Sequence, residues 1–300
     1  MNKLLTNGIV ICLRSGFYTI QTDSDIVTCS IRGRLKRGHA FMDRVALGDR
    51  VLIDRIGATI EEVLDRNSAL VRSAPSPRGV YQQVLLANLN QVLMVFACAQ
   101  PAPHLRMLDR FLIICEKQHL KPVIIANKVD LVGLAAARLI FDRYTTLGYP
   151  VIYTSALNSQ GIELLSDYLK DKLSALAGPS GVGKSSLLNA VQPGLSAAVN
   201  EVSKVTERGR HTTVVRQLYS LDMGGYVADL PGLKALALWD IQPEELDGYF
   251  PELRDLVNQC QFNDCSHQNE PGCAVRRALS EGRIHPERYD SYLRLRSGKD

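Results

Sequence analysis

The run Gly178-Pro179-Ser180-Gly181-Val182-Gly183-Lys184-Ser185-Ser186 has the residue types and spacing needed to hold phosphate: a glycine, four spacers, then Gly-Lys-Ser. Glycines let backbone N–H groups turn inward around an anion, and the positive N-terminus of a following helix adds to the attraction. In such a loop Lys184 reaches the β- and γ-oxygens and Ser185 ligates Mg²⁺. The flanks agree, since Ser174 to Ala177 reads as a buried strand end and Ser186 to Val191 as helix. A glycine-rich turn without a ligand would have no need of that context.

The base is addressed about fifty positions earlier, by Asn127-Lys128-Val129-Asp130. It follows the apolar run Pro122 to Ala126, which predicts a central parallel strand. At the end of that strand, the Asp130 carboxylate can accept from N1–H and the exocyclic amine of guanine. Adenine offers no such donor pair, and binding it would leave a carboxylate unpaired. Taken alone, the tetrapeptide also suits an ordinary surface turn. A second apolar strand, Pro150 to Tyr153, ends in Thr154-Ser155-Ala156, a small loop of the kind that contacts guanine O6. Together the two strand ends select GTP/GDP as the nucleotide.

The remaining elements follow the phosphate loop. Tyr226-Val227-Ala228 runs into Asp229-Leu230-Pro231-Gly232. Asp229 is expected to hold Mg²⁺ through water and the Gly232 N–H to sense the γ-phosphate, unless this is a simple strand-ending turn. Arg208-Gly209-Arg210-His211-Thr212-Thr213 is polar and glycine-bearing, and Thr212 or Thr213 is the candidate second hydroxyl ligand for Mg²⁺. After Gly232 stands Leu233, where many GTPases place a glutamine that orients the attacking water. Leucine cannot do this, so hydrolysis is slow or another group supplies the positioning, with His211 the nearest candidate.

The parts of a GTPase are therefore present in rotated order: base reader, small loop, phosphate loop, switch, Asp-x-x-Gly. A parallel sheet tolerates such a permutation when the old termini lie close together. Here the joint is expected at Leu164 to Leu173. The Asp-x-x-Gly strand then lies near the domain's C-terminal end, from which switch movement can pass to the segment beyond. That segment carries Cys260, Cys265, His267 and Cys273, spaced Cys-x₄-Cys-x-His-x₅-Cys. Three thiolates and an imidazole suit one tetrahedral structural Zn²⁺ with no open position. Disulfides fit poorly with seven cysteines and an N-terminus of no secretory type. Short helices from Ala274 and from Pro286 are too small to bury a core without a metal staple. Cys12, Cys29, Cys98 and Cys115 sit singly in apolar stretches and read as packing residues.

At the N-terminus, Gly8 to Leu13, Phe17 to Thr22, Ile26 to Ile31, Arg50 to Ile56 and Ala58 to Leu64 predict a small barrel of the oligonucleotide-binding type. Arg32-Gly33-Arg34-Leu35-Lys36-Arg37 is either a phosphate-tracking loop or a solvated charged one. Ser73 to Gly79 reads as a compact linker. The net charge of +4 puts nucleic-acid binding on local patches. The longest apolar run, Val92 to Ala99, is too short for a bilayer. Helical spacing of Leu108, Phe111, Leu112 and Cys115, and the run Leu134 to Leu147, predict crossover helices. The expected chain is multi-domain: an OB-like barrel (1–73), a circularly permuted α/β P-loop GTPase domain (80–237) and a small, mostly helical zinc module (238–300).

In this combination the chain resembles the bacterial small-ribosomal-subunit biogenesis GTPases (RsgA, also called YjeQ). The likeness rests on the barrel, Gly178 to Ser186, Gly209-Arg210-His211-Thr212-Thr213, Asp229 to Gly232 and the Cys/His tail, and runs from Ile31-Arg32-Gly33 to Cys273-Ala274-Val275. It implies a cytoplasmic, monomeric GTPase, with no membrane partner, whose barrel and zinc module grip rRNA of the 30S ribosomal subunit late in maturation. It also implies turnover stimulated by that particle and a hydrophobic residue at the Leu233 position. Val214 departs from a third threonine expected there, leaving open whether Thr212 or Thr213 binds Mg²⁺. Two rival readings are an RNA-binding protein that has lost turnover and a GTPase serving another partner.

Overall fold

A computed structural model describes residues 4–14, 16–33, 42–76, 79–195, 216–229 and 241–298. The expectations for Arg34 to Arg37, Arg208 to Val214 and Leu230 to Leu233 lie outside these residues.

Alternation of apolar and polar residues builds the first module. Strands β1 (Leu5–Arg14), β2 (Phe17–Gln21), β3 (Ile26–Ile31), β4 (Arg50–Asp54) and β5 (Thr59–Val63) pair in the order β1-β2-β3-β5-β4, and β4 returns to β1 to close a barrel. Val10, Ile20, Cys29, Val51, Ile53 and Ile60 fill it. β1 is apolar on its other face too, and there Ile9, Ile11 and Leu13 pack against the large central core.

The expected linker is instead the tip of a hairpin. β6 (Ala69–Ser76) and β7 (Gly79–Ala87) pair antiparallel all the way to Ser76 opposite Gly79. Pro75 is tolerated because this is a two-stranded ribbon, where a missing N–H need not break a ladder. Gln118 fastens the ribbon to the next module by mimicking a strand: its Oε1 accepts from Val71 N–H (2.9 Å) and its Nε2 donates to the Val71 carbonyl (3.1 Å).

The central sheet comprises β8 (Gln91–Ala97), β9 (Pro122–Asn127), β10 (Val151–Thr154), β11 (Leu173–Ala177), and, after β12 (Arg216–Gln217), β13 (Tyr219–Ser220) and β14 (Tyr226–Asp229). The order is β10-β9-β8-β11-β14-β13, parallel except for the final pair. All residues of β8 are buried, as a strand covered on both faces requires. Val92, Met94 and Phe96 meet the core under α1 (Leu105–Lys117) and α2 (Leu134–Thr145). Leu93, Val95 and Ala97 meet the core under α3 (Ile162–Leu169) and α4 (Lys184–Val191). The expected joint is present, since α3 turns directly into β11.

The C-terminal module holds a 3-10 turn (Pro243–Tyr249), α5 (Pro251–Arg254), α6 (Ala274–Ser280) and α7 (Pro286–Arg296) around a small core of Phe250, Leu253, Val275, Ile284 and Tyr292. No helix among the described residues is long and apolar enough to cross a membrane. Cys29, Cys98 and Cys115 are buried as expected, whereas Cys12 is half-buried.

Candidate functional site

The phosphate loop connects β11 to α4, and two glycines in it are enforced by sterics. A Cβ on Gly178 would lie 2.1 Å from the Val95 carbonyl oxygen, and one on Gly183 (φ +95°) would lie 2.4 Å from Asn127 Nδ2. Gly183 caps α4 without any side-chain hydrogen bond. The first-turn N–H groups are therefore left to an external anion. Ser180, Gly181, Ser185 and Ser186 are exposed on the rim. Lys184 folds over the loop, its ammonium donating to the carbonyls of Gly178 (2.9 Å) and Pro179 (2.8 Å).

The base-side residues hold the loop as well as face it. Asn127 is buried, donating from Nδ2 to the Val182 carbonyl (2.8 Å) and accepting from Thr154 Oγ1 (3.1 Å). Its amide thus staples the ends of β9 and β10 to the phosphate loop. Lys128 adopts φ +62° and donates to the carbonyls of Gly181 (2.7 Å) and Gln100. Val129 is buried, while the Asp130 carboxylate stands exposed at the carboxyl end of β9. In the adjoining loop the Ser155 N–H donates to the Gln160 carbonyl (3.0 Å), and Ala156 packs partly against the core. The backbone of Asp229 lies opposite Leu176 at the end of β14.

All of these elements emerge from the carboxyl ends of neighbouring parallel strands, the usual place for a ligand in such a sheet. β8 separates the phosphate strand β11 from the base strand β9, so the two subsites stand about 10 Å apart. His211, Thr212, Thr213 and Gly232 lie outside the described residues.

Cys260, Cys265, His267 and Cys273 converge, with their ligand atoms all within 4.8 Å of one another. Cys260 Sγ lies 4.0 Å from Cys273 Sγ, and His267 Nδ1 lies 3.6 Å and 3.4 Å from those two sulfurs. Zinc–sulfur bonds of about 2.3 Å in a tetrahedron place sulfurs roughly 3.8 Å apart. The residues therefore fit one structural zinc. Burial pushes the Cys265 thiol up to about 12. A cation is what makes a deprotonated sulfur affordable there. His267 Nε2 sits 3.1 Å from Asp247 Oδ2, so the nitrogen facing away from the cluster is oriented by a carboxylate.

Sequence reasoning missed the brace around this cluster. The Glu270 carboxylate accepts from Ser266 N–H and Oγ–H, Gln268 N–H and Asn269 N–H. Those bonds, the Ser266 hydroxyl foremost, hold its pKa down to about 2. A lowered carboxylate contributes its stability above its ordinary value and loses it only as pH falls toward 2, so the brace is intact at neutral pH. Tyr289 and Tyr292 on α7 donate to the carbonyls of His267 (2.6 Å) and Ser266 (3.1 Å). Glu270→Gln should speed zinc loss to a chelator several-fold without altering nucleotide affinity. Metal analysis against time is the check, and an unchanged rate would remove Glu270 from zinc retention.

A second missed feature joins this module to the nucleotide-binding sheet. Arg288 is 2% exposed; it donates to Asp109 Oδ1 (2.7 Å) and to both oxygens of Glu252 (2.7 and 3.1 Å), and lies over the Phe250 ring at 4.6 Å. Asp109, on α1, also accepts from Tyr144 (2.8 Å) and Ser291 (2.5 Å). In the basic run, Arg32 is paired with buried Glu61, which commits one of its four charges to the barrel.

Comparison with known proteins agrees with this arrangement. The model of the RsgA GTPase family matches residues 63–239, and that of the RsgA N-terminal domain matches residues 7–59. A protein of Gemmatimonas aurantiaca named small ribosomal subunit biogenesis GTPase RsgA is 43% identical, over 97% of this chain and 96% of its own. A Thermotoga petrophila protein of the same name is 40% identical over 98% and 96%. The crystal structure of YjeQ from Thermotoga maritima superposes with TM-score 0.79 at 37% identity, covering 99% of both chains. That of YloQ, described as a circularly permuted GTPase, gives 0.73 at 28% identity over 99% of this chain and 95% of its own. With its P-loop, its permuted strand order and its Cys/His cluster in place, the chain belongs to the RsgA family of GTPases.

Proposed function

We propose that this protein hydrolyses GTP while bound to the 30S ribosomal subunit, assisting or checking its late maturation, and leaves after turnover. The observation that carries the reading is the exposed phosphate loop and Asp130 at the ends of strands flanking β8, in a sheet bracketed by an oligonucleotide-binding type of barrel and a zinc module. In this reading Gly178 to Ser186 bind the phosphates and Mg²⁺, with Lys184 leaving its carbonyl partners for the β/γ-oxygens. Asn127, Lys128, Val129 and Asp130, with Ser155 and Ala156, form the guanine subsite. Thr212 or Thr213, Asp229 and Gly232 sense the γ-phosphate, and His211 positions water in place of the group that Leu233 lacks.

The modules act as units 1–73, 80–237 and 238–300, the hairpin lying at the first boundary. The barrel and the zinc module contact rRNA in a cytoplasmic monomer. GTP turnover by the protein alone, with 30S and with 50S subunits, tests this. Strong stimulation by 30S alone is expected, and it should disappear in His211→Ala while nucleotide affinity stays. Equal rates with and without 30S would sink the ribosomal reading.

A further inference from the structure

The segment 216–220 belongs to two modules at once. Gln217 pairs with Cys12 and Arg216 with Leu13 as an added strand on the barrel's β1. Leu218 N–H then donates to the Ile11 carbonyl (2.8 Å), and its side chain is buried in the central core. Immediately after, Tyr219 pairs with Val227 and Ser220 with Tyr226 on the edge of the nucleotide-binding sheet. Val227 stands two residues before Asp229, and Thr213 stands three residues before Arg216. One stretch of five residues thus lies between the candidate switch threonines and the candidate metal-side aspartate, and its first two residues pair with the barrel. The continuation toward the zinc module, by contrast, runs through residues outside those described.

We propose that residues 216–220 are a coupling strap: occupation of the barrel and occupation of the phosphate loop by GTP or GDP bias one another through the β1–β12 pairing. This rests on the GTPase reading above but not on the identity of the barrel's partner. Coupling of this kind is reciprocal, so a constraint imposed on the barrel end must be readable as a change in nucleotide preference. A ladder of two residues is short enough to be made and broken within a nucleotide cycle.

Nature supplies half of the test in Cys12. Because Leu218 and Ile11 form a hydrogen-bonded pair, the adjacent Cys12–Gln217 pair is of the non-bonded kind, with Cα atoms about 4.5 Å apart. That spacing is within disulfide reach. Gln217→Cys in the full-length protein should therefore form a reversible cross-strand disulfide with Cys12. Affinities for a non-hydrolysable GTP analogue and for GDP are then measured in oxidised and reduced protein, without ribosomes. Gln217→Ser under the same oxidant serves as the control for the zinc cysteines.

The ratio of the two affinities should differ at least five-fold between the locked and reduced forms, and not in the control. A ratio constant within two-fold, with the disulfide verified by mass spectrometry, would overturn the strap. Failure of the disulfide to form would overturn the pairing on which it depends. A shifted ratio in a protein that 30S subunits do not stimulate would leave the strap standing and refute the ribosomal role instead.

Discussion

Asp130→Asn should weaken GTP binding by roughly two to three orders of magnitude and strengthen binding of xanthosine triphosphate. A carboxylate accepting two N–H bonds contributes about 1.5–3 kcal/mol through each. The asparagine amide keeps one acceptor and turns a donor toward a guanine donor. Losing about 3 kcal/mol or more corresponds to at least a hundred-fold in Kd. Xanthine carries a carbonyl where guanine carries its amine, so the amide donor finds a partner there. The scaffold around Asp130 should survive, because its position is set by others: Val129 is buried behind it, and Lys128 is pinned to the Gly181 carbonyl. Equilibrium titration with both nucleotides decides the matter. Unchanged GTP affinity would mean that the base lies elsewhere than at the end of β9.

Arg288→Ala should cost about 3–5 kcal/mol, because it leaves two buried carboxylates facing one another without their cation. Asp109 and Glu252 both lose their cationic partner, and the Phe250 ring loses the guanidinium stacked on it. In calorimetry the unfolding midpoint of the C-terminal module should fall by on the order of 10 °C. Replacing all three charged residues, as in Arg288→Met with Asp109→Asn and Glu252→Gln, should recover much of the loss, since removing a buried ion network whole is far cheaper than breaking it. A single variant as stable as the parent would show that the network is solvated and not a joint. The arginine's pKa is raised by both carboxylates against the opposing effect of its burial, so its charge persists at any pH the fold survives.

These two residues mark the range of what the amino-acid order discloses. The placement of Asp130 beyond a strand end was legible because chemistry there demands particular side chains at fixed spacing, and the same holds for the steric need for Gly178 and Gly183 and the convergence of Cys260, Cys265, His267 and Cys273. The barrel strands were legible through alternation, as Val10 and Ile20 show by filling its core. Arg288 was not legible. It lies with Ser291 and Tyr292 on the buried face of α7, a stripe at helical spacing made largely of polar groups, and its partners are 36 and 179 residues away. The β6–β7 ribbon was misread because prolines and glycines punctuate a hairpin tip and a linker alike. Two-residue strands such as β12 have no period to detect, so the pairing of the barrel with residues 216–217 emerged only from the ladder itself. Asn127 was identified, but not its principal contacts, for only the fold brings Val182 and Thr154 against its amide.

The double-faced strand β1 has a consequence in time. It is made before every other strand of the described fold, yet the residue that completes its outer edge, Leu218, is made about two hundred residues later. At roughly 5–20 residues per second, that delay is on the order of 10–40 seconds. Throughout it, an apolar strip of Ile9, Ile11 and Leu13 stands beside an open strand edge, the combination most prone to pairing with a neighbouring chain. The barrel therefore reaches its final burial only once Leu218 and the central core have been made.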